Sequence, residues 1–438
     1  MRLVALLLAL LAAAPALAGR REVAPDTFAA ALAGAKAGDE LVLTPGRYSG
    51  PVVLSVPITL TGTPGAVVDG GGAGSVITVE APGAVVQGLA VTGSGLDNEA
   101  LDSGVKLTRT AHGAQVIGNT LTGNLIGIDI HGARDSLARG NRIEGLRLPR
   151  MNDRGNGIYL WNAPGAVIED NEIRYGRDGI FVVTSRHNIY RGNLIRDLRF
   201  AVHFMYANDS EVTGNVSVGN HFGYGLMYSD RNRLSDNVSI NDRDYGVLMN
   251  YANRSDIYNN IVVGGARKCV FIYNAHRNLV AENSFQGCGI GIHFTAGSER
   301  NAITGNAFVG NETQVKYVGT RFMEWSHEGR GNYWSDHAAF DLDGDGRADS
   351  SYRPNDLMDH ILWSQPAAKL LLGSPAVQLV RWSQSEFPAT LPGGVTDSHP
   401  LVHPPQHDLP DDLMLLARAA PAWSEETTDD DTDPLAAH

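Results

Sequence analysis

Positive charge is scarce in this sequence, which argues against nucleic acid as a partner. Its 35 Lys and Arg face 48 Asp and Glu, a formal net charge of -13, whereas a phosphate-binding protein needs a basic face to displace counterions. Cations suit such a surface better. No Gly-rich loop ending in Lys-Ser/Thr occurs, so ATP hydrolysis would belong to another chain. Beyond the N-terminus no apolar run approaches the roughly 20 residues that span a bilayer. Aromatic residues make up only 7% of the chain against 50 glycines, a balance that suits short strands joined by tight turns. Cysteine is limited to two residues.

What is present begins with an export signal. Arg2 gives a short positive region, residues 3–11 an apolar stretch and Ala16-Leu17-Ala18 a small-residue cleavage pattern, with Gly19 the first mature residue. The remainder, in a chain 43% hydrophobic and 19% charged, has enough apolar content to bury a large core.

Internal repetition dominates the middle of the chain. A small or acidic residue, then Asn, a variable residue and an apolar one recur at Asn119, Asn141, Asn171, Asn193, Asn215, Asn237, Asn260, Asn283 and Asn306. Successive differences are 22, 30, 22, 22, 22, 23, 23 and 23, and the 30 is one coil plus an eight-residue insertion placed within residues 146–155. A second strand phrase precedes many of them, as in Gly127-Ile128-Asp129-Ile130, Gly179-Ile180-Phe181-Val182 and Ala201-Val202-His203-Phe204. Coils of this length stack their strands in parallel about 4.8 Å apart. The expected fold is therefore an all-β, right-handed parallel β-helix over residues 41–335. Leucine-rich repeats share the period, but their leucine framework is missing and the strand positions are Ile, Val and Phe. Asn suits the corners because it tolerates the left-handed conformation and can bond to the Asn of the next coil.

The ends differ from the middle. Residues 19–40 read as an N-terminal cap with a short helix near residues 26–37, N-capped by Asp26. Residues 336–395 read as an Asp-rich loop followed by short amphipathic helices. Their apolar residues Leu370, Leu371, Val377, Val380, Trp382 and Phe387 either lid the last coil or dock a partner. Residues 396–438 are Pro-rich, then acidic, and read as a disordered tail.

Several constellations point to metals. Met205 and Met227 occupy the same step of successive coils and Met249 lies 22 further on, with its register open by one residue. His203 shares a strand face with Met205 by alternation, His293 occupies a similar place, and His221 precedes Met227 by a corner. Thioether and imidazole suit Cu(I), although a Met column filling the core is the plain alternative. Asp341, Asp343, Asp345 and Asp349 fall at positions 1, 3, 5 and 9 of a Ca2+ loop with Gly346 at position 6, but Tyr352 stands where an acidic residue would close it. His399, His403 and His407 repeat every fourth residue, interrupted by prolines. Cys269 and Cys288 are 19 residues apart where the coil is 23, and are expected to be two unbonded thiols. No catalytic carboxylate cluster stands out; Asp129 and Asp178 look isolated, and Asp153, Glu169 and Asp170 are the nearest approach to one.

The run Gly331-Asn332-Tyr333-Trp334-Ser335-Asp336, with Tyr352-Arg353-Pro354, Ser374-Pro375-Ala376 and Phe387-Pro388-Ala389-Thr390 to Pro392-Gly393-Gly394, resembles the NosD family of periplasmic copper-processing proteins. The resemblance implies a non-catalytic accessory protein of nitrous oxide reductase maturation. It would work in the periplasm with the membrane and ATPase subunits of an ABC transporter and with a copper chaperone, and would meet the membrane only through the transporter. Taken with the thioether and imidazole spacing above, it favours a transient Cu(I) path through Met205, Met227, Met249, His203 and His293 over a Met column filling the core. Two competing readings remain from the residues: a polysaccharide-binding or polysaccharide-modifying lyase or epimerase, and a passive surface spacer.

Overall fold

A computed structural model describes residues 19–295, 297–319, 321–354, 361, 374–386, 394–407 and 409–418. The expected export signal, Leu370, Leu371, Phe387 and the acidic residues 425–433 lie outside the described residues. The rest is a parallel β-solenoid whose coils contribute one strand each to sheets of 13, 13 and 12 strands. One coil shows the plan: Glu211–Thr213 in the first sheet, Val216–Val218 in the second, Phe222–Met227 in the third, then Arg233–Ser235 back beneath Glu211–Thr213. Inward residues from the three sheets form one continuous core, from Val23 and Leu41 through Phe204 and Leu226 to Trp334.

The repeated Asn builds the first corner. Asn193 donates its backbone N–H to Asn215 Oδ1 at 3.0 Å and its Nδ2 to the same oxygen at 2.8 Å, and the exchange recurs from Asn119 to Asn332. Each side chain thus satisfies a buried turn that no strand partner reaches. The left-handed residue of this corner is not the ladder Asn, as its chemistry suggested, but the residue before it: Gly192, Gly214, Asp236, Asn259 and Glu282 all have positive φ. That explains why this position is small or acidic.

Two shorter ladders are not apparent from the first. Asn188, Ser210, Asn232, Ser255 and Asn278 pass side-chain oxygens to backbone N–H groups at the corner after the third sheet. At the corner before it, Leu198 N–H donates to Asn220 Oδ1 and Asn220 N–H to Asp242 Oδ1, both at 2.8 Å. Asp242 is fully buried and accepts from the Ser217 and Ser239 hydroxyls at 2.6 Å each. Burial raises its pKa from 3.8 to about 6 despite these donors. The unfolded carboxyl ionises first, so stability is unaffected below the unfolded pKa and falls as pH rises through the folded one. Asp242→Asn, which keeps the accepting oxygen, should therefore gain roughly 2–3 kcal/mol over the natural chain at pH 7.5 and little at pH 3.5, as read by urea midpoints.

The first coil is closed by a one-turn 3-10 segment, Pro25–Thr27, leading into the helix Phe28–Ala33. Phe28 drops edge-on against Tyr48, with centroids 5.1 Å apart. Asp26 does not cap this helix; Thr27 precedes it and its hydroxyl instead bonds the Ala24 backbone. The preceding segment is part of the solenoid, since Arg20–Val23 pairs with Glu40–Leu43.

The other end is closed by the block around Trp334, and here residues 394–407 are folded against the last coils rather than forming a tail. Gly394–Thr396 pairs with Phe322–Glu324, and Asp397, fully buried, terminates the Asn ladder. Its Oδ2 accepts Asn332 N–H at 2.7 Å and Trp334 Nε1 at 2.9 Å. Trp334 stacks between Phe308 and Tyr352 at 4.4 and 4.6 Å. A last helix, Asp411–Arg418, follows.

The two cysteines are bonded, contrary to the expectation from spacing, with Cα atoms 5.6 Å apart. Along the sheet Lys268 pairs with Ile290, so Cys269 and Cys288 are three residues out of register. Cys288 sits on the corner before its strand, where the chain turns inward and brings its sulfur back under Cys269. Both are buried.

Candidate functional site

The third sheet carries the longest strands and the most chemistry on its outward face. In Phe200–Met205, Val202 and Phe204 enter the core, while His203 and Met205 face outward. Register places Met205 beside Met227 and His203 beside Gly225. Both residues are half-buried, Met227 packing against the outer cluster of Phe200, Tyr245, Leu248 and Phe271, and neighbouring strands lie about 4.8 Å apart.

Met249 does not join them. It pairs with Leu226 inside the core and is fully buried, while Asn250 takes the place beside Met227. The extra residue of this 23-residue coil lies in the corner before the strand: three residues separate Val216–Val218 from Phe222–Met227, but four separate Val238–Ile240 from Tyr245–Asn250. The whole strand is therefore advanced by one, and alternation turns Met249 inward.

His203 is held firmly and left with one free nitrogen. Its ring lies between Phe200 and Phe181, with centroids at 4.2 and 4.7 Å. Nδ1 is 3.2 Å from Asp178 Oδ2, whereas Nε2 is buried with no partner. Asp178 itself is fully buried and grips the Arg199 guanidinium through both oxygens at 2.8 and 2.7 Å. Burial alone would raise its pKa, but Arg199 and His203 together hold the carboxyl well below the usual range. An imidazole oriented through Nδ1 by a carboxylate is the usual second-shell arrangement of a metal-ligating histidine, although Nε2 here is buried.

His293 lies in the same outward column, which runs His203, Gly225, Leu248, Phe271, His293. It stacks on Phe271 at 4.6 Å and both of its nitrogens are buried without partners. Desolvation, with Lys268 and Lys316 nearby, pushes its pKa from 6.5 to about 2, so the ring is neutral. Four coil steps of about 4.8 Å separate the two imidazoles, too far for one ion to bridge. His221 is engaged elsewhere, with Nδ1 at 3.2 Å from Asp244.

Asp129 and Asp178 are less isolated than they looked. The column of His203 continues through Phe181 and Tyr159 to Asp129 and Lys106. Asp129 is fully buried, with Lys106 Nζ at 3.4 Å and neither oxygen hydrogen-bonded. Counting residues by coil rather than by sequence neighbourhood would have found this column. Glu169, by contrast, faces out from the first sheet, where it bonds Arg191, while Asp153 belongs to the insertion and is exposed. They form no joint site.

The acidic loop fits a hard cation in part. One oxygen from each of Asp341, Asp343 and Asp345 can lie within 4.8 Å of the others. Asp341 accepts N–H bonds from Gly344, Asp345 and Gly346, and Asp349 accepts from Leu342, so the loop is prefolded. Tyr352, at the closing position, donates to Asp336 instead. The prolines keep the later histidines apart: His399 bonds Ser326, and His407 reaches the Glu282 carbonyl. Of the docking residues, Val377 is buried and Val380 half-buried on the helix Pro375–Glu386, which also carries Trp382; Leu379 is exposed.

Fold and surface thus define a parallel β-solenoid with His203, Met205 and Met227 on the outward face of its third sheet. The profile of the family described as "Periplasmic copper-binding protein (NosD)" matches residues 139–339. The chain is 41% identical over 376 residues to the "Probable ABC transporter binding protein NosD" of Pseudomonas aeruginosa, covering 83% of this chain and 88% of that one. It is 40% identical to the protein of the same name from Stutzerimonas stutzeri, covering 86% and 89%. The chain belongs to the NosD family. Among solved structures, a Yersinia enterocolitica family 28 exopolygalacturonase superposes with a TM-score of 0.52 at 11% identity, over 69% of this chain and 77% of that one. That likeness is one of fold. No described helix is long and apolar enough to cross a membrane.

Proposed function

We propose that this chain is a non-catalytic copper-handling protein of the periplasm. It holds Cu(I) transiently on the outward face of its third sheet and passes it on, with an ABC transporter and a copper chaperone, for assembly of the copper centres of nitrous oxide reductase. The observation that carries this reading is the unpartnered Nε2 of His203, held through Nδ1 by Asp178, on the same outward strand face as Met205, which is paired in register with Met227. Neutral sulfur and nitrogen ligands favour Cu(I), and a set this small favours exchange over storage. His293, neutral and without partners, serves as a second station on the same face. Val380 and Trp382 belong to a segment that meets the transporter, while Val377 supports it from beneath. The Asp341 loop takes Ca2+ and stiffens the end of the solenoid.

Cu(I) titration of the mature chain against a chromogenic chelator tests the central claim. One copper per chain is expected, with affinity falling at least about tenfold in Met205→Leu/Met227→Leu and in His203→Phe, which keeps the ring stack. Unchanged affinity in both variants would remove the site from this face.

A further inference from the structure

The corner that follows the third sheet carries two side-by-side columns. Tyr206, Tyr228 and Tyr251 stack at 5.3 and 5.1 Å and are all exposed. Three residues later in each of the last two coils, and at the same place in the two beyond, stand Arg231, Arg254, Arg277 and Arg300, all with positive φ and all exposed. Their alignment is fixed by the backbone, for Arg231 N–H donates to Asn253 O, Arg254 N–H to His276 O and Arg277 N–H to Glu299 O. Like charges are thus stacked once per coil, about 4.8 Å apart at the backbone.

Among the described residues only the first of the four is held in an ion pair, although Glu299 is near enough to Arg300 to feel its charge. Arg231 forms a two-point ion pair with Asp209. Among the described residues no carboxylate reaches Arg254, Arg277 or Arg300. These three, with His276, Asp230 and Glu299, line a depression of about 440 Å³. Both acids there are engaged: Asp230 accepts from the Asn253 backbone and side chain, and Glu299 pairs with Arg321 at 2.6 Å. A row of uncompensated guanidiniums on a chain of net charge -13 calls for an anion.

We propose that the occupant is the chain's own acidic end, residues 425–433, whose Glu425, Glu426, Asp429, Asp430, Asp431 and Asp433 supply six carboxylates. Reach favours it over a foreign partner. The last described helix, Asp411–Arg418, sets Leu413 against Asn259 in a shared depression. Asn259 is five residues from Arg254 across a single short strand, at most about 17 Å, and the helix from Leu413 to its end at Arg418 adds about 8 Å, whereas the eleven residues from Arg418 to Asp429 span up to about 36 Å. The tethered segment is present at an effective concentration no free peptide matches. Docked there, it covers the arginine column and ties the C-terminal helix to the side of the solenoid.

Cleavage after Glu425 and Glu426 by a glutamate-specific protease, followed by intact-mass spectrometry on the full mature chain, tests this. Arg254→Gln/Arg277→Gln/Arg300→Gln should accelerate release of the end about tenfold at low salt, the summed effect of several exposed ion pairs. Salt at 0.5 M should accelerate cleavage of the natural chain by a similar factor but not that of the variant. Equal rates for the two chains at low salt, with unchanged unfolding midpoints, would overturn the proposal and leave the column for another anion.

Discussion

Asp397→Ala is expected to lower stability by about 3–5 kcal/mol and to open the C-terminal coils before the rest of the molecule. The carboxylate sits at the end of a ladder that otherwise has no next Asn. Its Oδ2 takes the Asn332 N–H, the Trp334 indole N–H and, at 3.3 Å, the Asn332 amide. Alanine leaves the Asn332 N–H and the Trp334 indole N–H buried with nothing to accept them, although the Asn332 amide keeps Ile303 O at 2.9 Å, and Trp334 loses the bond that sets its ring between Phe308 and Tyr352. Each abandoned donor costs about 1–3 kcal/mol, less whatever a trapped water restores. In a solenoid every coil is supported only by its neighbours, so damage at a cap spreads inward from the end. Hydrogen exchange should therefore lose protection in Phe322–Glu324, Tyr333–Trp334 and Ala307–Val309 while Glu211–Thr213 stays protected. Uniform loss across all coils would show that Asp397 is not a cap.

What the sequence disclosed was whatever repeats once per coil. Asn119 to Asn306 announced the period, and the period announced that Met205 and Met227 are vertical neighbours, because stacking converts a sequence interval into a contact. Whatever depends on where within a coil an extra residue falls stayed hidden. Met249 keeps the 22-residue interval from Met227 yet faces the core, since the added residue lies before its strand. Cys269 and Cys288 looked too far out of register because register counts residues along strands and ignores how far a corner folds back. The Asn188 to Asn278 ladder was obscured by chemistry: Ser210 and Ser255 alternate with Asn, so no single letter recurs although the accepting oxygen does. The environment of His203 was legible only as a column, since Asp129, Tyr159 and Phe181 are distant in sequence and aligned through successive strand pairs.

Asn215→Ala tests the same kind of bond in the middle of the stack, where the outcome should differ in form. Asn215 Oδ1 accepts the Asn193 N–H and amide, and its Nδ2 donates to Tyr190 O at 2.9 Å and Asn237 Oδ1 at 3.0 Å. Truncation therefore strands the buried Asn193 N–H and removes one partner each from the Asn193 amide, Tyr190 O and Asn237 Oδ1, the last of which still accepts the residue 215 N–H at 3.0 Å, for a cost of about 2–4 kcal/mol. No loose end is available to absorb it. The weakened interface lies between coils that are each well supported on their far side, so the N-terminal and C-terminal halves should uncouple. Equilibrium unfolding in urea should change from one transition to two, with the m-value divided between them. Asn215→Asp at pH 7 should be worse still, because Asn237 Oδ1 would then face a buried carboxylate without a donor between them. A single transition with an undiminished m-value in the alanine variant would mean that core packing, rather than the amide ladder, couples successive coils.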